Sequence, residues 1–245
     1  LRSTNSHALD WISRGRFSSD RIEIDVPLLP RLILAMKQPA GRGRHGKTWS
    51  ASEGGITLSW SCEYSGHLLS IAAGLAVAET IERLVPPFRC GLKWPNDVWL
   101  AGGKVSGILI ERCSSTLSAT KNPYVIGIGV NLIGHPNLEE CDNAPVAPTS
   151  IRHATGHELS IATFLDELIP CLNSWIDCST KHPATLHAAY DERCQLKGYP
   201  VRASHATKDL EGTCLGISHD GGLKLQVGSA IKTLYAGEIQ RIRRS

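Results

Sequence analysis

The chain has 245 residues, 42% of them hydrophobic and 20% charged, with a net charge of +3. Those proportions exclude a disordered or collagen-like chain and leave room for one substantial core plus a small second domain. So small a surplus of positive charge, with no lysine-rich run or basic helix face outside one glycine loop, points away from nucleic acid as a partner.

Taken in chain order, Thr4 to Ile12 reads as a short helix with Ala8, Leu9 and Ile12 on one stripe. RLILAMKQ reads as a strand, and ITLSWSCEY alternates, placing Ile56, Leu58, Trp60 and Cys62 on one face. His67 to Leu84 is the first long helix, stopped by Pro86-Pro87. Its apolar stretch from Leu68 to Ile81 is too short to span a bilayer and contains Glu79, so no membrane is expected. LKWPNDVWL and KVSGILIE are strand-like runs around Ala101-Gly102-Gly103, and YVIGIGVNL is a glycine-broken buried strand. Ser160 to Ile176 reads as a helix kinked or interrupted at Pro170. Beyond about Glu192 the texture changes to short strands, YPVRAS, GTCLGIS, LKLQV and IKTLYAGEI, with a turn at Asp220-Gly221-Gly222. The expected fold class is α+β, a mixed sheet flanked by helices over residues 1–191, followed by a small SH3-like β domain over 192–245.

The eight cysteines form no C-x-x-C pair and no zinc-spaced cluster, so they read as reduced core thiols of a cytoplasmic protein. His153 and His157 sit four apart but with Gly156 between them, which reads as solvated histidines rather than a rigid metal pair. The chain begins at Leu1 without an initiator methionine, so a trimmed amino terminus and a preceding module stay open.

Two segments carry chemistry. GRGRHG, Gly41 to Gly46, matches the pattern of dinucleotide loops, but those open a helix, whereas here a period-two run follows. What remains is a glycine loop with Arg42, Arg44 and Lys47, suited to phosphate or carboxylate oxygens, and a solvated basic hairpin tip fits the same residues. Trp49 beside it offers a stacking surface for a purine. The second segment is KWPNDVWLAGGKVSGILIE. A two-residue turn at Gly102-Gly103 would pair Ala101 with Lys104 and Asp97 with Ile108. Asp97 and Lys104 would then share a face about 13 Å apart, able to address opposite ends of a small molecule. The alternative is that Asp97 caps a turn and Lys104 is solvated.

Taken together, STN at Ser3 to Asn5, Q-x-x-GRGRxGxxW from Gln38 to Trp49, KWPND from Lys93 to Asp97, K-x-x-GILxE from Lys104 to Glu111 and GIGVN from Gly127 to Asn131 resemble the ordered motif set of biotin protein ligases. His45 and Lys47 depart from the arginines common in that loop. The resemblance implies an enzyme that joins biotin to ATP as biotinyl-5′-AMP and passes the acyl group to a lysine of a biotin carboxyl carrier domain, with Mg2+ accompanying the nucleotide. It implies catalytic roles for Lys104, Asp97 and Arg42. It places Ser3, Thr4, Asn5, Gln38, Gly41, Arg42, Lys104, Gly107, Ile108 and Gly127 at biotin, and Arg42, Arg44, Trp49, Asn96, Lys104 and Asn131 at ATP or the adenylate. The sequence identifies no metal ligands. A homodimer is among the assemblies the resemblance admits. Lipoate protein ligases, which share the adenylation chemistry, and a fragment of a bifunctional ligase and biotin-responsive repressor are the alternatives.

Overall fold

The computed structural model describes residues 1–14, 30–50, 54–113, 122–136, 146–205 and 208–242. The chain divides into two compact units, residues 1–65 with 103–165, and residues 66–102 with 166–245.

In the first unit, α1 (Thr4–Arg14) precedes β1 (Arg31–Ala35) and β2 (Ile56–Tyr64). Two long strands follow, β5 (Gly103–Arg112) and β6 (Asn122–Val130), and spatially the four lie in the order β1-β2-β6-β5 with antiparallel pairing. ITLSWSCEY is a strand over its full length, but it is buried on both faces apart from Glu63. The helix α1 runs one turn's fraction beyond the expected end. Its Ala8 and Ile12 pack with Val125 and Cys113, and with the partly buried Leu9, Trp11 and Ile33, so the apolar stripe covers one end of the sheet. The short helix α3 (Ile151–Thr155) was not signalled by periodicity; it is defined by its ends, Ser150 accepting from the His153 N–H and Gly156 closing in the left-handed region.

The second unit holds α2 (Leu69–Leu84), β3 (Cys90–Lys93), β4 (Asp97–Leu100), most of α4 (Ile161–Lys181) and α5 (Pro183–Arg193). Its remaining strands are β7 (Pro200–His205), β8 (Lys208–Ile217), β9 (Leu223–Val227), β10 (Ala230–Leu234) and β11 (Glu238–Arg241), forming an antiparallel five-stranded sheet in the order β10-β9-β8-β7-β11. Helix α2 is buried almost all round, and its run of small residues permits that. Three sequence expectations are corrected here. LKWPNDVWL is two strands broken at Trp94-Pro95-Asn96, since proline cannot donate to a ladder. Helix α4 passes through Pro170 without interruption: Pro170 is exposed, while Phe164, Leu168 and Leu172 are buried and hold the helix in place. The tight turn between β4 and β5 uses Ala101 (φ 47°) and Gly102 (φ 82°), one residue earlier than expected, so the pairing of Ala101 with Lys104 does not form. Helix α5 was missed; its one sequence signal is Pro183 at the first helical position.

The seven described cysteines are free thiols, as composition implied, and burial pushes Cys62 and Cys90 up to about 12. Cys141 lies outside the described residues.

Candidate active site

Strand register decides which side chains share a face of the first unit's sheet. Ser59 lies opposite Gly127 and Thr57 opposite Gly129 across β2 and β6. Across β5 and β6, Gly107 lies opposite Gly129 and Leu109 opposite Gly127. One face therefore reads Thr57, Ser59 and Ser61 on β2, Gly127 and Gly129 on β6, and Gly107, Leu109 and Glu111 on β5. The reverse face carries Ile56, Leu58, Trp60, Ile108, Ile126, Ile128 and Val130, all buried. The sheet thus spends one face wholly on packing, while the other, the floor, carries small and polar residues beside Leu109 and, under α1, Val125.

The absence of side chains at the glycines of that floor is what lets other groups lie on it. A Cβ at Gly127 would stand 2.4 Å from Asn5 Oδ1, and one at Gly129 would stand 2.2 Å from Trp49 Cε2. Gly107 is close behind, 3.0 Å from Trp49 Cζ3. Any larger residue at these positions would displace Asn5 or the indole. Trp49 Nε1 is buried here with no hydrogen-bond partner among the described residues.

The start of α1 forms one wall. Ser3, Thr4 and Asn5 are all buried. The Thr4 N–H donates to Gln38 Oε1 at 2.8 Å and its hydroxyl to the same oxygen at 3.2 Å, while Ser3 Oγ accepts from the Ser6 N–H at 3.4 Å. Asn5 Oδ1 accepts from Ser59, which fixes the amide so that Nδ2 donates to Glu111 Oε2 at 2.8 Å. The structure therefore brings together Ser3, Thr4, Asn5, Gln38 and Gly127 as expected, and adds Ser59, Glu111 and Gly129.

The glycine loop forms the second wall. The Trp49 N–H donates to Gly41 O at 3.0 Å and the Gly43 N–H to Lys47 O at 2.7 Å, making a short hairpin tipped by a single 3-10 turn at Arg44–Gly46. The next regular element is β2, so the loop joins strand to strand and no dinucleotide-type helix follows. Arg42 Nη2 donates to Glu111 Oε2 at 2.7 Å. Arg44 is half-buried and Lys47 exposed.

Lys104 sits at the start of β5, its backbone exchanging hydrogen bonds with the segment before α3: its N–H donates to Ala147 O at 3.0 Å and its carbonyl accepts from Thr149 at 2.9 Å. The side chain crosses towards the floor, with Cε 3.4 Å from a Cβ placed on Gly107 and the ammonium 6.0 Å from the Trp49 ring, at the limit of a cation–π contact. Asn131 is buried and its amide donates to Thr149 O at 2.9 Å, tying the end of β6 to that segment. Ile108 is buried on the apolar face, pointing away from the floor.

Asn96 and Asp97 belong to the second unit, where both are half-buried. Asp97 opens β4 opposite Lys93. The segment between them is pinned by Ser70 Oγ donating to Pro95 O at 2.9 Å and by the Trp94 indole donating to Gly221 O at 3.0 Å. Among the described residues no group of three or more histidines, cysteines or acids could hold a metal ion.

Comparison with known proteins fits this arrangement. The model of the biotin/lipoate A/B protein ligase family matches residues 10–131. A biotin–[acetyl-CoA-carboxylase] ligase of Paracoccus denitrificans is 33% identical over 214 residues, covering 84% of this chain and 88% of that protein. The chain belongs to the biotin/lipoate A/B protein ligase family. A second relative of the same description from Mycobacterium tuberculosis is 34% identical, covering 99% of this chain and 88% of that protein. Among solved structures, the biotin protein ligase from Aquifex aeolicus in complex with biotin and ATP superposes with a TM-score of 0.76 at 23% identity, over 99% of this chain and 95% of that one. That from Leishmania major in complex with biotinyl-5-AMP gives 0.62 at 20% identity, over 96% of each chain. These likenesses establish the fold as that of this family. No helix among the described residues is long and apolar enough to cross a membrane.

Proposed function

We propose that the protein is an ATP-dependent biotin protein ligase. Biotin's carboxylate oxygen attacks the α-phosphorus of ATP, the bond to the β-phosphate breaks and pyrophosphate leaves, giving biotinyl-5′-AMP. An acceptor lysine amine of a carrier domain then attacks the acyl carbon, AMP leaves, and the amine gives up a proton. The observation that carries this reading is the placement of Lys104 and Trp49 over Gly107 and Gly129, on the sheet face that also carries the polar start of α1 and the Arg42 contact to Glu111.

Each part suits a step. Two anions must meet in the first reaction, so a cation shared by the carboxylate and the α-phosphate lowers their repulsion most in the transition state, where both are closest. Lys104 has that role. The ureido ring of biotin presents donors and acceptors together, and Ser3, Thr4, Asn5 and Gln38 can answer both. Gly127 leaves room for the Asn5 amide, and Gly107 and Gly129 for the Trp49 indole, so the glycines serve biotin's flat bicycle by seating the side chains that would face it. Arg42 and Arg44 close over the adenylate, Trp49 stacks beside it, and water is kept from a hydrolysable mixed anhydride. On the motif resemblance, Asp97 has the role of orienting the incoming amine and accepting its proton, and Asn96 a role toward the nucleotide. Asn131 holds the segment that positions Lys104. The described residues do not build a protein metal site, so Mg2+ enters as part of the nucleotide substrate, carried by phosphates and water. Residues 1–191 carry the ligation chemistry in this reading and 192–245 the small β domain; the site of action is the cytoplasm, and the protein substrate is a biotin carboxyl carrier domain.

The test is exchange of labelled pyrophosphate into ATP, run with biotin and with lipoate in parallel. Exchange that depends on biotin and is weaker by at least tenfold with lipoate is expected. Exchange driven by lipoate would move the protein to the other branch of its family, and none with either acid would remove the reading.

A further inference from the structure

The floor and its two walls are explained by what they would hold, but one side chain is explained by neither packing nor direct contact with a ligand. Glu111 sits near the end of β5, its side chain 22% exposed. A single oxygen, Oε2, accepts from the Asn5 amide at 2.8 Å and from the Arg42 guanidinium at 2.7 Å. Asn5 cannot choose another orientation cheaply, because a flipped amide would turn its oxygen onto the Glu111 carboxylate oxygen, acceptor against acceptor, where Nδ2 now donates. Arg42, by contrast, is 43% exposed and rides on the glycine loop. One carboxylate oxygen therefore joins a fixed donor at the start of α1 to a movable one on the loop.

A pair this exposed adds little to folding, about 0–1 kcal/mol, so stability does not account for it. Geometry does. Resting on the reading of this pocket as a biotin and adenylate site, we propose that Glu111 is a positioning residue that couples the biotin end of the pocket to the glycine loop. With Asn5 and Arg42 sharing one oxygen, each donor's strength depends on the other. A ligand group that draws the Asn5 amide leaves more of the carboxylate to Arg42 and brings the loop down; a ligand that takes Arg42 releases Asn5 towards the ureido end. Glu111 need not touch the reacting atoms for this.

Glu111→Gln keeps the side chain's shape and an oxygen for Asn5 while removing the charge that holds Arg42. The expected results are a melting temperature close to that of the wild type, nicking by trypsin between Arg42 and Lys47 several-fold faster without ligands, and a KM for biotin raised on the order of tenfold with a smaller change in kcat for adenylate formation. Glu111→Asp, with its charge but a shorter reach, should fall between the two. A double-mutant cycle isolates the coupling: Asn5→Ala and Arg42→Ala should be non-additive in the KM for biotin when Glu111 is present and additive in the Glu111→Gln background. Additivity in both backgrounds, or unchanged nicking in Glu111→Gln, would overturn the proposal. The nicking arm needs no ligand and no turnover, so a failure of the wild-type protein to form biotinyl-5′-AMP would count against the ligase reading alone.

Discussion

Of the carboxylates held by arginine, Glu82 and Glu111 make the sharpest contrast. Glu82, in α2, has a side chain only 7% exposed; it accepts from Arg193 through Nε at 3.2 Å and Nη2 at 2.8 Å, from Arg89 at 3.2 Å and from the Cys90 N–H at 3.0 Å. Its partners come from α5, the segment after α2 and the start of β3, so one acid fastens three pieces of the second unit. Glu111, near the end of β5, accepts from the Asn5 amide and the Arg42 guanidinium, and its arginine is on a loop. The buried acid ties elements of the fold together; the partly exposed one, whose arginine is on the glycine loop, is the one we propose serves the reaction.

The sharpest way to break the comparison is to remove both. Glu82→Ala leaves the largely buried Arg193 without its main counter-charge, which costs up to about 3–5 kcal/mol and should lower the melting temperature more than any change at the candidate site. Burial opposes ionisation of Glu82, but Arg193, the Cys90 N–H and Arg89 outweigh it and hold its carboxyl below the usual range. A group whose pKa is lower in the folded state stabilises above its unfolded value and loses that contribution as pH falls through the folded one. Wild-type protein should therefore lose stability in acid below about pH 4.3, and Glu82→Gln should lose less over the same range. Urea melts at pH 7 and in acid check both statements; a flat difference between the two proteins would refute them.

A smaller effect is expected at the other carboxylate's partner. Arg42→Ala should shift stability by less than about 1 kcal/mol, within the range of exposed pairs. Its consequence should be seen in containment instead: with biotin and ATP present, the variant should release reactive adenylate and label exposed lysines of bystander proteins. Labelling confined to the carrier domain would show that the loop does not contain the intermediate.

Much of this was legible in the residues. The strand over Ile56 to Tyr64, the helix at Thr4 and the short strands after Glu192 follow from periodicity, and the ordered motifs single out Thr4 and Gln38, which hydrogen-bond each other, and Asn5 and Gly127, which lie in contact. The misses have physical causes. In ITLSWSCEY the period marks the apolar alternate residues, while the other phase, Thr57, Ser59 and Ser61, lies on the face of Gly127 and Gly129; alternation marks both faces, and the polar one within a buried strand is the informative one. Glu111 read as the end of a motif because its partners, Asn5 and Arg42, are 106 and 69 residues away in the chain. No local pattern encodes such a meeting. The turn before Lys104 slipped by one residue because Ala101 takes a left-handed conformation that sequence preference assigns to glycine. In helix α4 the local rule for proline, which marks a kink or interruption at Pro170, competes with the packing of Phe164, Leu168 and Leu172, and the helix runs on.

The most direct measurement is adenylate formation by Lys104→Ala. The protein, biotin and ATP are mixed, and biotinyl-5′-AMP is quantified in a single turnover beside the melting temperature. A charge placed between two meeting anions is worth on the order of a hundredfold in rate, about 2.7 kcal/mol. The expected result is a loss of that size with the melting temperature unchanged, and partial recovery in Lys104→Arg. Adenylate formed at the wild-type rate by Lys104→Ala would contradict the assignment of this pocket's chemistry to Lys104.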